Sequence, residues 1–308
     1  MRLADLGRLV ALAAMWGASY LFMRVAVPHL GPVLMIELRV LIAGLALAAF
    51  AYATRRAIGW REHWRGYLFV GAVGLALPFV LIAEALTVID ASTAAILNAL
   101  SPLFASVVAA VWIRDPLTPA KGVGIALCLA GTGLLVGWTP VPMTGRELLA
   151  ASMSVAATAL YGLSIVFTKV RLKGASPMGT SVATLLFAAL ALLPFTPVTR
   201  ALAPVPTAAW LALAGLAVLS TAVAFVLYYR LIADVGPVKA ITVTLLVPIF
   251  GMIWGVIFLH EPVTPGRIAG CAIILAGCSL ILGLARLPAR RPSVRPGGRQ
   301  RQALRLPA

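Results

Sequence analysis

Arg24, Glu37, Arg39 and Glu84 stand inside long stretches of Leu, Val, Ala, Ile and Met. An Arg at the middle of a membrane helix costs about 2.5 to 3.5 kcal/mol on insertion scales, so each such charge needs a local reason. At 1.5 Å rise per residue, Arg24 lies roughly 22 Å above the inner end of the first apolar run and Arg39 roughly 9 Å below the outer end of the second. Glu37 and Glu84 fall in the same layer. Two bases and two acids at one depth suit a cluster that binds or gates a charged solute. They suit equally a set of structural ion pairs and side chains that snorkel to the interface. Arg24, one turn beyond Tyr20, is the base expected to meet a solute carboxylate. Glu37 and Arg39 point about 200° apart, so they cannot face the same way, and Glu84 is the expected partner for one of them.

Uncharged polar and aromatic residues repeat this suggestion. Trp16, Tyr20 and Arg24 are spaced i, i+4, i+8 and form one stripe of a helix; Tyr161, Ser164 and Thr168 form a second stripe. Facing a cavity, these stripes offer aromatic faces and hydroxyls to a small amphipathic solute; the alternative is packing or an interfacial belt. Asn98 with Ser101-Pro102, and Thr244 with Pro248, occupy matching mid-span sites. A proline removes the hydrogen bond to the carbonyl four residues earlier, which predicts a free acceptor at Asn98 and at Thr244. The alternative is a kink satisfied by neighbouring helices. Cys128, Cys271 and Cys278 sit in apolar runs without CxxC spacing and read as small buried hydrophobes. His29, His63 and His260 show no ligand spacing, so no metal is expected.

The elements that must position these residues are membrane helices. Of 308 residues, 62% are hydrophobic and 11% charged, against about 25% charged in a soluble domain. Ten apolar runs, at 9–28, 33–52, 66–86, 91–112, 121–138, 147–168, 178–195, 208–229, 238–259 and 266–285, are of spanning length. Unbroken runs exclude the alternation of barrel strands, so the fold class is all-α. The net charge of +16 follows topology rather than nucleic-acid binding. With the N-terminus inside, the inner segments hold thirteen Lys and Arg residues, from Arg2 and Arg8 to Arg230 and Lys239, plus seven tail arginines; the outer loops hold only Arg146, Arg200 and Arg267. Both termini are therefore expected in the cytoplasm. The basic stretch 286–308 is expected to be disordered and to touch anionic head groups.

Shifted by 146 positions, Ala94 to Gly137 aligns with Ala240 to Gly283: Pro102 meets Pro248, and Asp115-Pro116-Leu117-Thr118-Pro119 meets Glu261-Pro262-Val263-Thr264-Pro265. A shift of 145 brings Trp16-Gly17 onto Tyr161-Gly162 and Arg24 onto Lys169. Two five-helix halves follow, 9–138 and 147–285. Five being odd, they are inverted relative to one another, the arrangement of alternating-access carriers.

Trp16-Gly17-Ala18-Ser19-Tyr20 in the first span, Pro32 and Arg39 around the second, Ser101-Pro102 in the fourth and the Asp115 and Glu261 loops resemble the EamA domain, present twice over about residues 9 to 285. The resemblance implies the ten-helix drug/metabolite transporter fold, a bacterial inner-membrane location, and export or exchange of small metabolites such as amino acids. Asp115 departs from the family's usual Glu. The first span also lacks the Glu of the small multidrug-resistance relatives, which argues against proton-coupled efflux of cationic drugs.

The expected function is a secondary transporter whose partners are a small-molecule solute and the lipid bilayer, with no nucleic acid and no cofactor. A membrane-embedded enzyme is the reading from another class, but the chain has no HExxH, GxxxxGK[ST] or G-x-S-x-G motif and no His or Cys cluster. Lipid flipping or a structural subunit would fit the duplicated fold as well.

Overall fold

The computed structural model describes residues 2–56, 58–137, 143–199 and 204–285. Arg200 and the basic tail lie outside the described residues. Among the described residues, eight helices are long and apolar enough to cross a membrane: α1 Leu3–Leu30, α2 Pro32–Ala53, α3 Arg61–Ala85, α4 Ala91–Trp112, α5 Pro119–Gly137, α6 Gly145–Arg171, α7 Pro177–Thr196 and α8 Thr207–Val235. Two shorter apolar helices, α9 Val243–Leu259 and α10 Pro265–Ile281, bring the spans to about ten. No strand occurs among the described residues, so the all-α expectation holds.

The local sequence accounts for the helix ends. Thr144 opens α6 with a reciprocal cap: the Glu147 N–H donates to its hydroxyl at 3.3 Å and its own N–H donates to the Glu147 carboxylate at 2.7 Å. The repeated acidic-Pro-x-Thr-Pro loop is likewise a helix start. Thr118 accepts from the Lys121 N–H at 3.3 Å and Thr264 from the Arg267 N–H at 3.2 Å, and each is followed by a proline at the first helical position, where its missing N–H does no harm.

Both halves carry irregular turns. In α4 the helix pauses at Ala99 and Leu100, between Ala91–Asn98 and Ser101–Trp112. The Asn98 carbonyl is not a free acceptor as the sequence predicts; the Ser101 hydroxyl donates to it at 2.8 Å. In the second half the break falls at Ile241 and Thr242, after a short helix Pro237–Ala240, whereas Pro248 lies inside α9 without ending it. The two prolines therefore do not mark equivalent breaks. The Thr244 hydroxyl satisfies this second break by donating to the Ile241 carbonyl at 2.8 Å. Spans α3 and α8 each contain wide π-helical turns, at Ala72–Ala76 and Gly215–Val223.

Packing follows the inverted repeat. Helix α1 packs on α9 and α8 of the other half, and α6 packs correspondingly on α4 and α3. Gly17 and Gly162 allow these crossings. A Cβ on Gly17 would lie 2.9 Å from the Gly251 nitrogen, and one on Gly162 would lie 2.6 Å from the Ala105 nitrogen. Helix α2 packs on its mate α7, and α5 on its mate α10. In the α5–α10 seam, a Cβ at Gly124 would meet the Gly277 carbonyl at 2.6 Å and one at Gly131 the Gly270 carbonyl at 2.9 Å. Cys128 and Cys278 are buried in this seam with their sulfurs 3.6 Å apart, and Cys271 is buried too.

Candidate substrate-binding cavity

Between the halves lies a cavity of about 740 Å³. Its wall includes Trp16, Tyr20, Arg39, Asn98, Ser101, Pro102, Tyr161, Ser164, Thr168, Thr244 and Pro248, eleven of the fourteen residues singled out from sequence. Both stripes contribute, because α1 and α6 cross into the opposite halves and turn one face each toward the pseudo-two-fold axis. Toward one end the lining reaches Asp115, Lys121, Lys169 and Leu282, which belong to the end of the bundle that carries the N-terminus. Among the described residues, none from the loops at the opposite end lines it.

The deep end is aromatic around one cation. Arg39, 5% exposed, stands with its guanidinium carbon 4.0 Å from the centre of the Phe79 ring. Its Nε donates to Thr221 Oγ1 at 3.1 Å and its Nη1 points at Met23 Sδ at 3.6 Å. Tyr161 meets Phe79 edge to face at 6.2 Å, and Trp16 lies against Tyr228 at 5.3 Å. Asn98 Oδ1 and Ser106 Oγ, both on residues of the wall, are buried without a hydrogen-bond partner among the described residues.

The expected charged cluster is not assembled. No ion pair joins Arg24, Glu37, Arg39 and Glu84 among the described residues. Arg24 does not line the cavity; its guanidinium donates to the Leu86 carbonyl. That carbonyl is one of those left free where α3 ends, and it draws a cation as helix C-termini do. Glu37 faces α7 and accepts from the Thr196 hydroxyl. Glu84 is half-buried and outside the cavity wall, and it is the partner of neither Glu37 nor Arg39. The placements expected for the two arginines are thus exchanged: Arg39 faces the cavity and Arg24 ties down a helix end. Sequence reasoning also missed Met23, Phe79, Thr184, Ser220 and Thr221. The hydroxyl pair Ser220-Thr221 in an apolar run was a usable signal, but the π-helical turn that swings Thr221 toward Arg39 has none.

Equivalent loop residues behave differently at the two ends. At the closed end, Glu261 accepts from the N–H groups of Ala91 at 2.7 Å and Ser92 at 2.9 Å and from the Ser92 hydroxyl, while Arg267 pairs with Asp90. At the open end Asp115, the repeat mate of Glu261, pairs with Lys121 at 2.9 Å. The Lys121 hydrogen bond holds the Asp115 carboxyl below its usual range. Lys169, the mate of Arg24, stands at the cavity mouth.

A ten-helix bundle of two inverted halves around a solute-sized cavity defines a membrane carrier. The family model for the EamA-like transporter family matches residues 7–137 and 148–283, and the chain belongs to that family. It is a multi-pass membrane transporter, not an enzyme. An uncharacterized transporter of Bacillus subtilis, YoaV, is 23% identical over 278 residues, covering 87% of this chain and 93% of its own. An uncharacterized transporter of Archaeoglobus fulgidus is 24% identical, covering 87% and 94%. A probable terminal-alkyne amino-acid exporter of Streptantibioticus cattleyicolor is 25% identical, covering 94% and 97%. A solved crystal structure with 21% identity has the same fold, at a TM-score of 0.65 over 92% of this chain and 98% of that one.

Proposed function

We propose that this protein is a secondary transporter that moves amino acids or related small metabolites across a bacterial inner membrane by alternating access, as an exporter or exchanger. Its halves run from about 9 to 138 and 147 to 285, both termini face the cytoplasm, and the present conformation is open inward. The observation that carries the reading is the unequal engagement of equivalent residues. Arg24 and Glu261 hold helix ends together where the cavity is closed. Their mates Lys169 and Asp115 line the open mouth. Exchange of conformation between the halves would close the mouth and open the far end, the cycle expected of inverted repeats. The amino-acid part draws support from the exporter relative and from a wall that combines aromatic faces, hydroxyls and a guanidinium.

The test is counterflow in proteoliposomes that contain the purified full chain and a panel of labelled amino acids. Accumulation of at least one label, abolished when the internal solute is omitted, supports the proposal. No counterflow with any member, from protein that is folded and correctly inserted, counts against it. Cysteine labelling of the C-terminal tail from outside intact cells would overturn the orientation.

A further inference from the structure

We propose that Arg39 is the carboxylate-binding residue of the cavity, and that the solute is a small organic carboxylate with an apolar or aromatic body whose amino group is dispensable. The inference rests on the transport reading above and narrows its substrate.

Arg39 is a buried cation without a counter-ion among the described residues. Guanidinium does not deprotonate in proteins, so its charge persists at every working pH. Its neighbours are a hydroxyl, a thioether and an aromatic ring, none of which carries charge. Thr221 is committed as an acceptor, because its own hydroxyl donates to the Leu216 carbonyl at 2.7 Å. Of the five N–H groups of a guanidinium, one reaches Thr221 and one reaches a weak sulfur acceptor. Three remain without a protein acceptor among the described residues. A planar fork of donors left open beside a cavity has the geometry that a carboxylate fills with two parallel hydrogen bonds.

The rest of the wall agrees. It holds three bases, Arg39, Lys121 and Lys169, against one acid, Asp115, already taken by Lys121. The bases at the mouth lower the barrier to an entering anion. Among the described residues, Asp115 apart, no carboxylate lines the wall to hold an ammonium group. The unpartnered acceptors of the wall, Asn98 Oδ1 and Ser106 Oγ, are neutral and suit an amino group without demanding its charge. The aromatic rings of Trp16, Tyr20, Phe79 and Tyr161 suit an apolar body. Helix α7, the mate of α2, carries no charged residue. Arg39 is therefore not part of the machinery that the two halves share, and a feature held by one half alone is where a symmetric carrier can encode its substrate.

Three probes with one ring body separate the groups: phenylalanine, 3-phenylpropionate without the amine, and 2-phenylethylamine without the carboxylate. Binding to the purified full chain is read as a ligand-induced rise in melting temperature and as uptake into proteoliposomes. Phenylalanine and 3-phenylpropionate should both bind, and 2-phenylethylamine should not. Arg39→Gln should weaken both carboxylates by about tenfold or more, while its ligand-free melting temperature stays the same or rises, because an unmatched buried charge has been removed. Arg39→Lys, which keeps the charge and loses the fork, should fall between. Equal binding of 2-phenylethylamine, or full carboxylate affinity in Arg39→Gln, overturns the assignment. So does a lower ligand-free melting temperature in Arg39→Gln together with wild-type carboxylate binding in Arg39→Lys, which marks a structural cation. A wild type that takes up 2-phenylethylamine independently of Arg39 is still a transporter and only the substrate inference fails. A wild type that moves none of the three but shows counterflow with another amino acid is likewise still a transporter, and the substrate inference alone fails; no counterflow with any solute overturns both.

Discussion

Glu261 and Asp115 sit on turns built alike, closed by an N–H donation to the carbonyl of Gly255 at 3.1 Å in one case and of Ala109 at 3.2 Å in the other, yet their carboxylates hold different partners. The residues just before them, His260 and Arg114, both adopt the left-handed conformation, at φ 53° and 54°. The backbone of the two loops is thus in the same state. What differs is whether the acid reaches across to a helix N-terminus in the other half, as Glu261 does, or stays with its own loop, as Asp115 does.

Glu261→Gln should loosen the closed end. Hydrogen bonds to a charged acceptor contribute about 1.5 to 3 kcal/mol each, so loss of the charge should shift the conformational balance about tenfold or more. The reporter is Ile82→Cys, deep in the cavity wall, in a background with the three native cysteines replaced by Ala. A membrane-impermeant maleimide added from the closed side should label it faster when Glu261 is changed. Gly255→Ala should act in the same direction, since a Cβ there would stand 2.5 Å from both the Glu261 carboxylate and the Ser92 hydroxyl. Equal labelling rates in all three proteins would contradict the assignment.

Arg24→Ala should differ from changes at Arg39. It leaves the Leu86 carbonyl without its cation, a loss of about 1 to 3 kcal/mol, and should lower the melting temperature in detergent. Solute affinity measured on the folded fraction should be unchanged. A selective loss of affinity would place Arg24 in the binding site after all.

Gly17→Ala and Gly162→Ala should destabilise by similar amounts, about 1 to 3 kcal/mol each, because each added methyl meets backbone of the opposing helix at the equivalent crossing. Thermal unfolding of the two purified variants checks this. A tolerated change at either glycine would show that its crossing can relax.

The pH dependence of transport should not come from Asp115. Its folded pKa is depressed, chiefly by the Lys121 hydrogen bond. The pair's contribution is therefore fully present above the ordinary carboxylate pKa and is lost only as pH falls through the lower folded value. Between about pH 5 and 8 the group stays ionised. Profiles of wild type and Asp115→Asn should run parallel across that window, and a change of shape would contradict this.

The helices, their inversion and the cavity stripes were legible because each depends on composition or on regular spacing. Hydrophobic length gives the spans, a fixed offset gives the repeat, and a spacing of four residues puts Tyr20 above Trp16 on one face. The partners of the charged residues were not legible. Depth along a helix can be counted from sequence, but azimuth against a neighbour cannot, and Arg24 and Arg39 differ in azimuth rather than depth. Pro248 shows a related limit: a proline removes one hydrogen bond, and the surrounding packing decides whether the helix breaks there.

The seam between α5 and α10 joins mates, so exchanging the two halves maps its contacts onto themselves: Gly124 against Gly277 becomes Gly270 against Gly131, with close approaches of 2.6 Å and 3.0 Å. A junction that looks the same after the exchange has nothing to rearrange during it. In the proposed alternating-access cycle, helices α5 and α10 would therefore serve as a stator about which the remaining spans rock.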